Sequence, residues 1–106
     1  MNYKEVAEEI FNQLGGNRFA VMTGAKQFIA LTKPGLRMKL PKNNSGANYL
    51  DITLQSNDLY EMRFYCLKLN SKTFETMFAE KAGFTDVYVE SLQDVFTQIT
   101  GLYTHL

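Results

Sequence analysis

Apolar and polar residues alternate in three segments near the middle of this chain, and no other feature of the sequence restricts the fold as much. The segments are residues 36–40, 49–55 and 59–69, and in each of them apolar residues recur at every second position. Successive side chains of a strand point to opposite faces, so this period predicts strands that each bury one face. Turn-forming residues separate the segments, which favours an antiparallel sheet built mainly from hairpins.

Helices are expected near both ends of the chain, where apolar residues recur three and four positions apart. The first is predicted over residues 3–14, with Asn2 as its N-terminal cap and Gly15 just beyond its end. The second is predicted over residues 87–100, with Asp86 as its cap and Gly101 at its end. The apolar stripe of the second helix comprises Tyr88, Leu92, Val95, Phe96 and Ile99. Leu102, Tyr103 and Leu106 follow it and are expected to pack back onto the domain.

Residues 18–23 and 26–32 are both rich in Phe, Val, Ile and Thr, which is typical of strands. Gly24 lies between them and is expected to close a hairpin, with Phe19 and Val21 entering the core. The next turn is predicted at residues 33–35. There proline presets its φ angle and Gly35 is expected to supply the positive φ of a type II turn.

Residues 72–82 fit two patterns. Phe74, Met77 and Phe78 have helical spacing, whereas Phe74, Thr76 and Phe78 have strand spacing. Periodicity alone does not assign such a short segment. Because Thr and Phe dominate its first half, we favour a strand, and Gly83 is expected to end it.

The order of elements predicts an α+β fold in a single domain that spans residues 1–106. We expect a two-layer sandwich with an N-terminal helix, a mostly antiparallel sheet of five or six strands, and a C-terminal helix packed on one sheet face. Apolar residues make up 45% of the chain and charged residues 21%, an ordinary globular composition. A chain of this length buries roughly two-thirds of its surface on folding, which is enough for one core.

The sequence contains no catalytic signature, so we predict neither an enzyme nor a cofactor nor a metal. The one histidine, His105, is next to the C-terminal residue, where chain ends usually fray. The one cysteine, Cys66, lies on the apolar face of a predicted strand, which favours an inert core residue over a nucleophile. A single cysteine excludes an internal disulfide and fits a reducing compartment.

Asp51 and Glu61 are the acidic residues that strand pairing is most expected to bring together. A carboxylate pair across two strands can hold a metal or act as acid and base. More often, one of the two forms an ion pair with an arginine such as Arg63. We favour the ion pair.

Positive charge is concentrated in residues 17–50, although eleven basic and eleven acidic residues cancel over the whole chain. That segment contains no acidic residue and six basic ones, Arg18, Lys26, Lys33, Arg37, Lys39 and Lys42. Such a segment is able to follow a phosphate backbone, and an exposed Tyr49 or Phe28 is able to stack on a base. The alternative is an ordinary solvated strand face, which the zero net charge and the lack of an RNA- or DNA-binding motif favour.

The second face of the strand at 59–69 is also partly apolar, and it supplies our first functional hypothesis. Its apolar members are Leu59, Tyr65, Leu67 and Leu69. A sheet covered on one side would leave them exposed, and exposed apolar patches usually mark interfaces. We therefore expect a protein-interaction module, which binds a protein partner or forms a homodimer.

The acidic N-terminus is unlike a signal peptide and no apolar run is long enough for a membrane helix, which predicts a cytoplasmic protein without membrane contacts.

The terminal blocks IFNQLGGNRFAVMTGAKQF and LQDVFTQITGLYTHL resemble a family of small uncharacterised proteins. That family occurs in bacteriophages and in prophage or mobile elements of gut and lactic-acid bacteria. Its members share a QLGGNRFAVMTG-type block, strands similar to YLDITL and DLYEMRF, and a closing GLYT-L tail. The resemblance covers nearly the full length except residues 66–86. It implies a small intracellular accessory protein and supplies no activity, cofactor or site residue.

Overall fold

A computed structural model describes residues 2–104 and shows an antiparallel sheet in which each strand pairs with the next one along the chain. The five strands are β1 (Lys26–Leu31), β2 (Gly35–Lys39), β3 (Tyr49–Leu54), β4 (Tyr60–Leu69) and β5 (Thr76–Val87). The helices are α1 (Tyr3–Leu14), α2 (Asn17–Thr23) and α3 (Leu92–Thr100), and a 3₁₀ turn at Val89–Ser91 precedes α3. The α+β class and the antiparallel sheet are therefore confirmed.

The core lies between the helices and one face of the sheet. The alternation in the sequence selects that face, because the apolar residues of β2, β3 and β4 at every second position are the buried ones. These sheet residues are Leu36, Met38, Leu50, Ile52, Tyr60, Met62 and Phe64, and the helices contribute Val6, Ile10, Leu14, Phe19, Leu92 and Phe96. Within the described residues, no helix covers the opposite face of the sheet.

Helix α1 begins and ends where the sequence predicts. The side chain of Asn2 accepts a hydrogen bond of 2.9 Å from the backbone N–H of Glu5, which satisfies one of the free donors of the first turn. At the other end, the N–H of Gly16 donates to the carbonyl of Phe11 at 2.9 Å, and Gly15 has a positive φ of 124°. The two glycines therefore end α1.

The prediction of a strand at residues 18–23 is wrong, because this segment is the helix α2. Phe19 and Thr23 are four residues apart, which places both on the buried face of one helical turn. The Thr23 hydroxyl donates to the Phe19 carbonyl at 2.7 Å, and Val21 points away with 82% of its surface exposed. Gly24 has a left-handed φ of 78° and ends this helix, so it does not close a hairpin.

A turn is present at residues 32–34, close to the predicted 33–35, but the prediction that it is a type II turn with a positive φ at Gly35 is wrong. Gly35 has no positive φ and is the first residue of β2. Its lack of a side chain serves a different purpose, since a Cβ there would overlap the carbonyl oxygen of Ile52 on β3. Gly35 therefore permits the close approach of two strand backbones.

From Thr76 onward the segment at 72–82 forms a strand, as favoured above, but residues 72–75 belong to the turn before it and Gly83 does not end it. Strand β5 starts at Thr76 and continues through Gly83 to Val87, paired with β4 along its length. Asp86 consequently lies in β5 with a positive φ of 57°, and it bonds to Gln55 and Asn57 instead of capping a helix. Helix α3 begins later than predicted, at Leu92.

The end of α3 agrees with the sequence more closely than its start. Gly101 ends the helix with a left-handed φ of 75°. Leu102 packs against the core, whereas Tyr103 is 70% exposed. Tyr88, which was expected in the apolar stripe of the helix, is 59% exposed. The prediction for Leu106 lies outside the described residues.

The polar loop at residues 41–48 is held in place by its asparagines. The Asn43 amide donates to the carbonyls of Pro41 and Ala47, at 2.7 and 2.8 Å. The Asn48 side chain donates to the Leu67 carbonyl and accepts from the Leu67 N–H, both at 2.8 Å. Asn48 therefore replaces a strand residue and extends the pairing of β3 and β4 by one step.

Substitution of Gly35 by alanine is expected to lower the free energy of unfolding by about 1–3 kcal/mol, because the new Cβ would overlap rigid backbone. The measurement is urea unfolding followed by circular dichroism. The matched control is Gly83→Ala in β5, where the nearest atom to a Cβ is 3.4 Å away at the flexible end of Glu80. Equal unfolding midpoints for the two variants would contradict the prediction.

Candidate binding surface on the uncovered sheet face

The face of the sheet opposite the helices, here named the open face, is polar at its centre and apolar at one end. The strand register assigns to it Lys26, Ile29 and Leu31 from β1, Arg37 and Lys39 from β2, Tyr49, Asp51 and Thr53 from β3, Glu61, Arg63, Tyr65, Leu67 and Leu69 from β4, and Phe78 and Glu80 from β5. Five strands thus present one continuous surface.

A buried carboxylate, Asp51, lies at the centre of the open face, and only 7% of its side chain is exposed. Arg37 on the neighbouring strand donates to both of its oxygens, from Nε at 2.9 Å and from Nη2 at 3.1 Å. The Tyr65 hydroxyl on the other neighbouring strand donates to Oδ1 at 2.8 Å. The Lys33 ammonium lies 3.7 Å from Oδ2. Asp51 therefore joins three strands and the turn before β2.

The carboxylate also affects the acidity of its two strand neighbours. The hydrogen bond to Asp51 raises the pKa of Arg37 above its usual value, although partial burial acts in the opposite direction. Burial is the main cause of the raised pKa of Tyr65, and its hydrogen bond to Asp51 adds to the effect. Arg37 therefore stays charged and Tyr65 stays protonated, so neither supplies a proton-transfer group near neutral pH.

The ion pair favoured for Asp51 exists, but its partner is Arg37 and not Arg63. Arg63 instead donates to Glu80 on β5 at 2.9 Å, in a pair whose two side chains are both more than 40% exposed. Glu61 lies opposite Thr53 in the register, one diagonal position from Asp51. Within residues 2–104, no group of three or more potential metal ligands is present.

Three aromatic rings form a row across β3, β4 and β5 on the open face. Tyr49 and Tyr65 stack with ring centres 5.7 Å apart and an interplanar angle of 12°, and Tyr65 contacts Phe78 at 5.3 Å. Tyr65 is covered on both sides and only 5% exposed, so it is not the exposed interface residue that the sequence suggested. Phe28 packs against Phe11 on the helix side, with ring centres 4.8 Å apart, so it is not free to stack on a base.

The apolar end of the open face is a two-stranded hairpin, here named the arm, at residues 66–79. The pairing of β3 with β4 ends at Tyr65, and β4 continues to Leu69 paired with β5. Four large apolar side chains in the arm are more than half exposed: Leu69 at 65%, Phe74 at 78%, Met77 at 61% and Phe78 at 56%. The sequence indicated Leu69 as an interface residue but missed the other three, because their segment fits both periods.

Two of the four interface residues expected from the sequence are accessible parts of the arm. These are Leu69 and the half-buried Leu67, which pairs with Phe78. Leu59 lies at the other end of the molecule, just before β4, where it is half-buried beside Tyr88. The apolar surface is thus displaced toward β5 relative to the prediction.

Four of the six basic residues from the segment at 17–50 lie at one side of the open face. Lys26 and Lys39 are directly opposite each other on β1 and β2, and Arg37 and Lys33 lie beside Asp51. The other two are elsewhere. Arg18 is exposed on α2, on the helix side, and Lys42 is exposed in the loop at 41–48.

Cys66 is buried, as predicted, with 8% of its surface exposed. It lies on the helix-facing side of β4, opposite Ala79, and it borders a cleft that Lys42 and Lys68 also line. His105 lies outside the described residues. Cys66 is therefore separated by the sheet from the polar centre of the open face.

No protein-family model, curated protein or solved structure matches this chain. Of the helices within residues 2–104, none is both long and apolar enough to cross a membrane. The resemblance to phage and prophage proteins stays a prediction.

Replacing Asp51 with asparagine is expected to lower the free energy of unfolding by about 1–3 kcal/mol, because Arg37 and Tyr65 would lose their charged acceptor. The matched control is Glu80→Gln, which removes the exposed pair with Arg63 and is expected to cost at most about 1 kcal/mol. Urea unfolding curves of both variants provide the comparison. The central role of Asp51 would be contradicted if the Asp51→Asn protein were as stable as the control.

Proposed function

We propose that this protein is a non-enzymatic binding module that attaches to a protein partner, or to a second copy of itself, through the arm and the adjoining open face. The main support is the exposure of Leu69, Phe74, Met77 and Phe78, which lie within ten residues of one another. Single exposed apolar side chains are ordinary, whereas a group at one end of a sheet marks an interaction site. Burial of each such side chain stabilises a complex by about 1.5–3 kcal/mol before the costs of association.

The position of β5 supports the same proposal. It is an edge strand of twelve residues, and its outer N–H and C=O groups are available to a further strand. Strand addition of this kind supplies affinity through backbone hydrogen bonds and specificity through alternate side chains. The arm thus offers both an apolar surface and a backbone edge.

The polar centre of the open face fits a structural role better than a catalytic one. The oxygens of Asp51 are occupied by Arg37 and Tyr65, and Cys66 is buried on the other side of the sheet. The resemblance of the terminal blocks to phage and prophage proteins supports an accessory protein of phage or mobile-element origin that acts in the cytoplasm.

A photocrosslinking amino acid tests the arm directly. With p-benzoylphenylalanine in place of Leu69, irradiation is expected to give one discrete crosslinked species. This is a second copy when the purified protein is irradiated at increasing concentration, or a partner polypeptide in cells that naturally produce the protein. Mass spectrometry identifies which of the two is formed.

The matched control is the same replacement of Val21, which is 82% exposed but lies on α2 on the helix side. It is expected to give no discrete species. Equal crosslinking from the two positions, or none from Leu69 under either condition, would contradict the proposal.

Nucleic-acid binding is the second candidate, and the grouping of Lys26, Lys33, Arg37 and Lys39 on one side of the open face favours it. Tyr49 lies next to Lys39 in the register and is half-buried, so part of its ring is available for stacking. The paired acids Asp51 and Glu80 on the same surface act against a polyanion.

This candidate predicts salt-dependent binding to single-stranded DNA or RNA. Each phosphate contact contributes roughly 0.7 to the slope of log affinity against log salt, so Lys26→Gln with Lys39→Gln is expected to reduce the slope by about 1.4. Filter binding of an oligonucleotide at several salt concentrations measures it. Undetectable binding at low salt would exclude the candidate.

A further inference from the structure

The two sides of the open face differ in chemistry. The side formed by β1, β2 and the turn between them carries three lysines, Lys26, Lys33 and Lys39, here named the lysine edge, and Ile29 is its one apolar side chain that is more than half exposed in the described residues. The side formed by β4 and β5 carries the apolar residues of the arm. A ligand that covers the whole face must therefore be charged at one end and apolar at the other.

Two of the lysines are in an unfavourable position in the isolated protein. Lys26 and Lys39 are directly opposite each other on antiparallel strands, where like charges repel. Within the described part of the chain, neither forms an ion pair with a carboxylate, whereas Arg37, Arg63 and Lys33 each have one. An acidic group placed between Lys26 and Lys39 would remove the repulsion and gain two charge-assisted contacts.

The protein's own acids do not fill this place. Glu5, Glu8 and Glu9 lie along α1, on the other side of the sheet, where they line a shallow depression. The helix side is thus acidic and the lysine edge basic. A carboxylate that lies between Lys26 and Lys39 would therefore come from another polypeptide.

The spacing of the strands sets the length of the ligand. Lys39 on β2 and Phe78 on β5 are three strand intervals apart, or about 14 Å at the usual interstrand distance. An extended peptide covers this distance with about four or five residues. A cleft of about 240 Å³ opens on this face beside Phe78, and it is also lined by Lys33, Arg37, Asp51, Arg63, Tyr65 and Leu67.

We infer that the open face binds an extended acidic segment of a partner protein. Two Asp or Glu residues of that segment, separated by one residue so that both side chains face the sheet, contact Lys26 and Lys39. A Phe or Leu about four residues further along packs on Leu67 and Phe78. The inference rests on the proposed function and specifies the chemistry of the partner.

A peptide segment fits this surface better than a nucleic acid does. Arg37 and Arg63 already hold carboxylates at 2.9 Å, so few cations remain for a phosphate backbone. Asp51, Glu61 and Glu80 would repel phosphates that cross the face. A short acidic pair needs only the lysine edge, and the rest of the segment is neutral.

The test is a titration of the ¹⁵N-labelled protein, followed by NMR, with a short peptide that has two Asp residues separated by one neutral residue, a spacer of about three neutral residues and a Phe. Amide shift changes are expected in β2 and in the arm and not in α1. The double variant Lys26→Gln with Lys39→Gln is expected to bind the peptide at least about tenfold more weakly. The matched control is Lys4→Gln with Lys42→Gln, which removes two lysines outside the open face and is expected to bind as the wild type does.

Three results would overturn the inference: no binding at about 1 mM peptide, equal binding of a peptide with Asn in place of Asp, or tighter binding of an oligothymidylate in the same buffer. The photocrosslinking experiment separates this failure from that of the proposed function. Crosslinks from position 69 without peptide binding would leave the binding module intact and refute only the acidic partner. Absence of both the crosslinks and the peptide binding would refute the proposed function and the acidic partner together.

Discussion

The buried carboxylate of Asp51 is the interaction on which the open face depends. A charged carboxylate with so little exposure to water is stable only where several hydrogen-bond donors surround it. Arg37 and Tyr65 supply these donors from the two strands that flank β3. The apolar core fixes the same three strands from the helix side. A slip of one residue in either pairing would therefore bury the wrong face and also leave a carboxylate without its donors.

The regular parts of this fold follow from local patterns, and the irregular parts do not. The alternation in residues 36–40, 49–55 and 59–69 predicted the buried face of the sheet correctly, because a period of two has one structural meaning. Residues 18–23 have the composition of a strand, but the glycines at 16 and 24 bracket them and Phe19 fills the core as part of a helix. In such a short segment, the burial of a large side chain in the core has more influence on the secondary structure than β-propensity does.

The candidate surface was harder to predict than the fold, since it depends on register. Arg37 and Arg63 are both opposite Asp51 in the sheet, and sequence alone did not decide which of them would bond to it. In the structure Arg63 instead bonds to Glu80 of β5, the strand whose period in the sequence was ambiguous. The same ambiguity concealed Phe74, Met77 and Phe78. The basic residues of the segment at 17–50 do not all share one surface, because the helix at Asn17–Thr23 places Arg18 on the other side of the sheet.

The order of the strands in the sheet has a consequence for how the protein folds. Every strand pairs with its neighbour in sequence, so each hairpin closes a short loop and no pairing waits for a distant part of the chain. Such local connectivity is associated with rapid folding for a sheet of this size. Strand β5 is added at one end and contacts the sheet through β4 alone, so its separation would leave the four other strands and the charged centre paired. The segment with the largest exposed apolar surface is thus attached to the sheet by β4 alone, but through the longest strand pairing that the sheet contains.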